Sequence, residues 1–118
     1  MTKQNTKYNA RDIAAANDDL RMNLAKYYFG PTSHKSVVLS AGVAHRDNLP
    51  EILKAIKGFR NFNSGNDPYG EHDFGIVEVA GEKYFFKVDY YDKTYNWFSD
   101  PYETVPHRVL TIAHMDEY

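Results

Sequence analysis

Apolar positions recur first at helical spacing. Ile13, Leu20, Leu24, Tyr27 and Tyr28 repeat along one side of residues 9–29, and Ala14, Ala15 and Ala16 are strong helix formers. The pattern predicts a helix over 9–29, with Asn9 as N-cap and Gly30-Pro31 as the stop. Tyr27, Tyr28 and Phe29 are expected to meet the core. Residues 1–8 are polar and predict a flexible N-terminus. Periodicity then changes. Ser36 to Val43 is short and β-branched, and Val37, Val38 and Leu39 are apolar in succession, which predicts a strand covered on both faces or a central one. Asn48-Leu49-Pro50-Glu51 opens a second helix, with Asn48 and Glu51 placed for capping. Its apolar stripe is Leu49, Ile52, Leu53, Ile56 and Phe59. Lys54, Lys57 and Arg60 form a basic, solvated side.

Residues 62–70 are dense in turn-formers and predict a loop. A hairpin follows, with strands over 74–80 and 83–91 and a type II′ turn at Gly81-Glu82. That turn sets Val79 opposite Tyr84, Val77 opposite Phe86, Gly75 opposite Val88 and Asp73 opposite Tyr90. This apolar face is the predicted core. The other face mixes Phe74, Ile76, Phe85 and Tyr91 with Glu78, Lys87 and Asp89, so a helix is expected over part of it. Residues 92–106 form a second long loop and 107–114 a last strand. The predicted fold is α+β: a single domain over 9–118 in which two helices pack on a small, mainly antiparallel sheet, in the order α-β-α-β-β-β. Leu20, Leu24, Leu39, Ile52, Ile56, Val77, Val79, Phe86 and Leu110 are the expected core.

Composition narrows the function classes. The 118 residues carry a net charge of −2, so bulk charge draws the chain toward neither nucleic acid nor anionic membrane. Nucleic acid is therefore the less favoured partner. There is no Cys, which removes disulfides, thiolate metal sites and Cys nucleophiles, and fits a cytoplasmic location. No apolar run reaches the roughly 20 residues that span a bilayer, and the N-terminus has no apolar signal-peptide core. Ten Tyr, seven Phe and one Trp are left over for core and interface alike.

The densest polar cluster is Asn66-Asp67-Pro68-Tyr69-Gly70-Glu71-His72-Asp73-Phe74-Gly75. Its Asp-Phe-Gly matches the magnesium motif of kinases by chance, since the chain lacks their length and other signatures. On an extended segment Glu71 and Asp73 share one side and His72 takes the other. A metal would need further ligands from His107, His114 or Asp89. The expected role of Asp67, Glu71, His72 and Asp73 is to shape the loop. Gly70 and Gly75 supply conformations or close approaches denied to other residues. Asp73 is expected to take hydrogen bonds from Tyr90, Lys87 or Arg108, and His72 to point outward. No catalytic residue, metal ligand or cofactor is assigned. The candidate binding residues are Asp67, Tyr69, Glu71, His72, Asp73, Lys87, Asp89, Tyr91, Tyr95 and Trp97. Tyr95, Trp97, Phe98 and Tyr102 either form an adhesive surface, as aromatic anchors do, or close the core from below.

Four segments, Val38 to Val43, Asn66 to Gly75, Phe86 to Asp92 and Arg108 to Ile112, together resemble the bacterial domain-of-unknown-function family 3768. The Gly-Glu-His-Asp-Phe-Gly and Lys-Val-Asp-Tyr-Tyr-Asp blocks are the specific parts, and the resemblance runs from about Asp12 to Tyr118. It implies a small stand-alone bacterial protein, often carried on plasmids or phages, and no catalytic residues. The expectation is a non-enzymatic binding protein acting on a protein partner, such as a mobile-element inhibitor of host defence or an anti-CRISPR. The alternative is a small hydrolase or nuclease-like enzyme using Glu71, His72 and Asp73, with or without a metal.

Overall fold

Asn9 starts the first helix by a reciprocal cap: its Oδ1 accepts the Asp12 N–H at 3.0 Å, and Asp12 Oδ2 accepts the Asn9 N–H at 2.9 Å. The computed structural model describes residues 6–30 and 34–118. Helix α1 (Ala10–Met22) buries Ile13, Ala14, Asn17, Leu20 and Arg21 on one side. The expected single helix breaks at Asn23, whose side-chain amide donates to the Asp19 carbonyl at 2.8 Å. A side chain that captures backbone acceptors offers the chain an alternative to the helix. Helix α2 (Leu24–Phe29) follows and buries only Leu24 and Tyr27. Tyr28 and Phe29 are exposed, against the expectation that all three rings meet the core. Gly30 ends α2 at a φ of −137°, so its left-handed freedom is unused. Pro31 lies outside the described residues, as does most of the segment expected to be flexible. The described end of that segment is tied, with the Tyr8 N–H donating to the Tyr102 carbonyl at 2.9 Å.

Strand β1 (Lys35–Leu39) stops earlier than predicted. The next residues wind into a short helix, α3 (Ala41–Ala44), held by an acid from far down the chain. Glu117 accepts from the Ser40 hydroxyl at 2.7 Å and from the Gly42 N–H at 3.0 Å. Helix α4 (Leu49–Lys57) carries Pro50 in its first turn and buries Ile52 and Ile56; its basic side is solvated as expected. Asn48 makes no side-chain cap. Strands β2 (Phe74–Val79), β3 (Glu82–Tyr91) and β4 (His107–His114) complete the sheet, and a 3₁₀ turn spans Met115–Glu117.

The sheet order is β1-β4-β3-β2, with β1 parallel to β4 and the other two pairs antiparallel. The fold is thus α+β, with four helices and a mixed four-stranded sheet among the described residues. The hairpin turn is one residue earlier than predicted. Ala80 and Gly81 are its central residues, both at positive φ (53° and 79°), the signature of a type I′ turn. Val79 therefore pairs with Glu82, Val77 with Tyr84 and Gly75 with Phe86. The register moves by two, and a shift of two leaves every side chain on its predicted face. One core joins α1, α2, α3 and α4 to the Val77–Phe86 face of the sheet, and it includes Leu20, Leu24, Ile52, Ile56, Phe86 and Leu110. Leu39, Val77 and Val79 pack against it half-buried. Gly75 is needed for that packing: a Cβ there would lie 2.5 Å from Phe86 Cε1 and 2.7 Å from Phe59 Cε2.

No described helix covers the opposite face. Phe85 is buried there by Phe74 and by Tyr118, whose ring stands edge-on to it at 5.1 Å. Val38 and Ile76 are exposed, so β1 is an edge strand with one open side rather than a strand covered on both.

Candidate functional site

The predicted site residues divide into a buried seam and an exposed surface. In the seam, Asp67 Oδ1 accepts the N–H groups of Glu71 and His72 at 2.9 and 3.1 Å, closing the loop around Gly70 at its positive φ of 71°. Glu71 turns inward. Its two oxygens accept the hydroxyls of Tyr90 at 2.9 Å and Tyr102 at 2.7 Å. Its carbonyl takes the Asn17 amide at 3.0 Å, and Asn17 Oδ1 in turn takes Arg108 Nε at 2.9 Å. Burial and the adjacent Glu71 charge hold both phenols above their ordinary range, and burial pushes Arg108 below its own. Asn17 and Arg21 were legible as outliers, since both fall at helical spacing on the apolar side of α1.

His72 sits at a positive φ of 57°, so the segment is not extended there, against expectation, and strand alternation does not place its side chain. It does not point freely outward. Its ring stacks on Phe62 at 4.0 Å and 3°, and its Nδ1 lies 2.9 Å from Asp18 Oδ1. Asp73 departs most from expectation. Tyr90 donates to Glu71, Arg108 to Asn17, and Lys87 pairs with Asp89 at 3.2 Å on the open face. Burial and the charge of Glu71 push the Asp73 carboxyl up to about 6, with Asp67 and Asp89 adding to the effect. Among the described residues, no three His, Cys, Asp or Glu side chains are grouped to hold a metal ion.

The exposed surface begins where β3 runs past the end of β2. The Asp73 carbonyl takes the Val88 N–H, and beyond that point the loop after β3 folds back along its free edge. Ser99 N–H donates to the Tyr90 carbonyl at 3.2 Å, Asp92 N–H to the Trp97 carbonyl at 2.9 Å, and Tyr91 bridges Phe98. Asp92 is held below the usual carboxylate range by the Thr94 hydroxyl, 2.6 Å away, and by backbone donors of the loop. The loop is thus fixed by its own hydrogen bonds. It does not close the core: Trp97 is 71% exposed and Phe98 72%, whereas Tyr102, further along, is buried. Tyr91 and Tyr95 lie 6.1 Å apart, and Tyr95 donates or accepts at 2.8 Å with His107. Asp73, Asp89, Tyr91 and Phe98 line a cavity of about 310 Å³ at this edge. Tyr69 stands apart, exposed on the 62–70 loop.

The structure therefore ties Asp67 and Glu71 to the fold's interior, leaves His72 and Asp73 half-buried at its margin, and sets Tyr91 and Tyr95 near one another on the face that carries Lys87 and Asp89, with Trp97 exposed on the same loop as Tyr95. Phe98, absent from the predicted site residues, belongs with the second group. Its signal was adjacency to Trp97 in a loop too long to be structureless filler. No described helix is long and apolar enough to cross a membrane. No curated protein and no solved structure matches the chain. One family model does, with the description "Protein of unknown function (DUF3768)", over residues 39–117. The match takes in the seam except for Asn17, the aromatic loop and three of the four strands whole, and leaves out α1 and α2.

Proposed function

The chain belongs to the DUF3768 family of proteins of unknown function, and we propose that it is a non-enzymatic binding protein that engages a protein partner through the aromatic loop. The observation that carries this reading is the exposure of Trp97 and Phe98 on a loop fixed by its own backbone bonds. Exposed rings cost solubility and add no core, whereas in an interface Trp and other large rings are the commonest anchors. A loop already held in shape loses little entropy on binding. Lys87 and Asp89 supply a charged margin, as interface rims do. The finer form of the proposal is a cytoplasmic inhibitor of host defence machinery, such as an anti-CRISPR, and it rests on the resemblance to proteins of mobile elements alone.

The test compares the tagged chain with a Trp97→Ala/Phe98→Ala variant in pull-downs from the bacterial host. The wild type should retain one protein in fixed ratio, and the variant should bind it at least about tenfold more weakly. The melting temperature should not move, because both rings are exposed. Equal retention by the variant, or recovery of the chain alone with turnover of a substrate, would defeat the proposal.

A further inference from the structure

Lys35 and Arg108 are cross-strand neighbours, paired in register between β1 and β4 on the face that carries the core. Like charges placed opposite one another repel, so the placement calls for anions. Lys35 has one: its Nζ lies 2.7 Å from Asp19 Oδ2. Arg108 is bonded to no carboxylate among the described residues. It is only 6% exposed. Its Nε donates to the neutral Asn17, and its guanidinium carbon sits 5.7 Å from the Tyr90 ring centre. Its two Nη groups make no hydrogen bond to a described residue and are not among the buried atoms left without a partner, so they reach solvent. Glu71 is the acid whose charge reaches it, and both Glu71 oxygens are already engaged by Tyr90 and Tyr102.

What Arg108 and Lys35 share is a cavity of about 400 Å³, walled by Ile13, Val105 and Pro106. Asp12 also lines it, with its Oδ2 taken by the Asn9 N–H. The volume falls in the range of small-molecule sites, which are mostly apolar with a few converging polar groups. A guanidinium offers a planar two-pronged donor that matches a carboxylate or a phosphate. We propose that this cavity binds a small organic oxyanion, a carboxylate or phosphate monoester on an apolar body, with Arg108 Nη as its donors and Lys35 as the second cation. The cavity shares no lining residue with the 92–99 loop, so the site stands independently of the protein-binding surface.

Removing Arg108 would test folding as much as binding, because Asn17 depends on it. Val105, 57% exposed at the cavity wall, allows a cleaner variant. Backbone amide shifts of the full chain are followed by NMR at constant ionic strength during titration with benzoate, phenyl phosphate or benzyl alcohol. Benzoate or phenyl phosphate should shift amides around residues 104–108 and Lys35 with a Kd below about 10 mM, and the tighter of the two names the ligand's head group. Benzyl alcohol should not. Val105→Glu should weaken oxyanion binding at least about tenfold through charge repulsion, with an unchanged melting temperature. An equal response to benzyl alcohol, undiminished binding by Val105→Glu, or no saturable shift at these residues would overturn the proposal.

Discussion

Two neighbouring acids of this fold have opposite energetic signs. Glu71 satisfies two buried phenols, and leaving such partners without an acceptor costs about 1–3 kcal/mol. Glu71→Ala should therefore lower stability by at least that much in denaturant melts. Asp73 is the reverse case. Its carboxyl, raised to about 6 by burial and by Glu71, Asp67 and Asp89, holds a proton in the folded state that the unfolded chain releases near 4. Between those values the folded state binds more protons, so Asp73's contribution to stability is complete below about pH 4 and is lost as pH rises through 6. Ionisation opposes folding by up to roughly 3 kcal/mol on the pKa alone; water around this half-buried group brings it to on the order of 1 kcal/mol. Asp73→Asn should thus stabilise the protein at pH 7 by about 1 kcal/mol, and the gain should vanish by pH 4. A loss of stability at pH 7 would show instead that Asp73 accepts an essential hydrogen bond. The sequence pointed to Asp73 as the bonded acid because its predicted register partner was Tyr90. Tyr90 is indeed on that face, but its hydroxyl reaches Glu71.

At the scale of elements, the β2–β3 turn places an alanine where φ is 53°. The left-handed region costs an ordinary L-residue roughly 1 kcal/mol, and Asn-Gly is the preferred type I′ pair. Ala80→Asn should raise stability by about 0.5–1 kcal/mol, read as a higher urea midpoint with unchanged slope; no change would place the cost of this turn elsewhere. The hairpin was legible to within one residue of its turn, and the faces were right, because side-chain alternation survives a shift of two. The break at Asn23 was hidden by a continuous apolar stripe from Ile13 to Tyr28, since spacing does not register one side chain competing for a carbonyl. The run Val37-Val38-Leu39 read as a strand covered on both sides, but only Val37 is buried. Burial of a short apolar run depends on which strand it joins, and that is not a local property.

Across the whole molecule, the sequence made the fold class legible and left the aromatic loop open between two readings. Aromatic content alone does not separate rings that fill a core from rings that face water; exposure of Trp97 and Phe98 does. The seam was legible as a structural loop because its turn residues, Asp67 and Gly70, act through backbone geometry that composition reveals. The pairing of β1 with β4 has a kinetic consequence. Its partners, Lys35 to Leu39 and Arg108 to Ile112, are separated by about seventy residues of chain, whereas β2 and β3 meet across two. A hairpin closes in roughly 1–10 μs, while the distant pair pays a larger loop-closure entropy before any contact repays it. Docking of β1 should accordingly follow the transition state. In stopped-flow measurements, Val37→Ala should accelerate unfolding several-fold and leave the refolding rate nearly unchanged, whereas Ala80→Asn should quicken refolding. Slower refolding in Val37→Ala would place β1 in the nucleus instead. With β1 late to arrive and early to leave, the free side of β4 is the sheet edge that opens first, and resistance to proteolysis is then set by how fast five residues return to it.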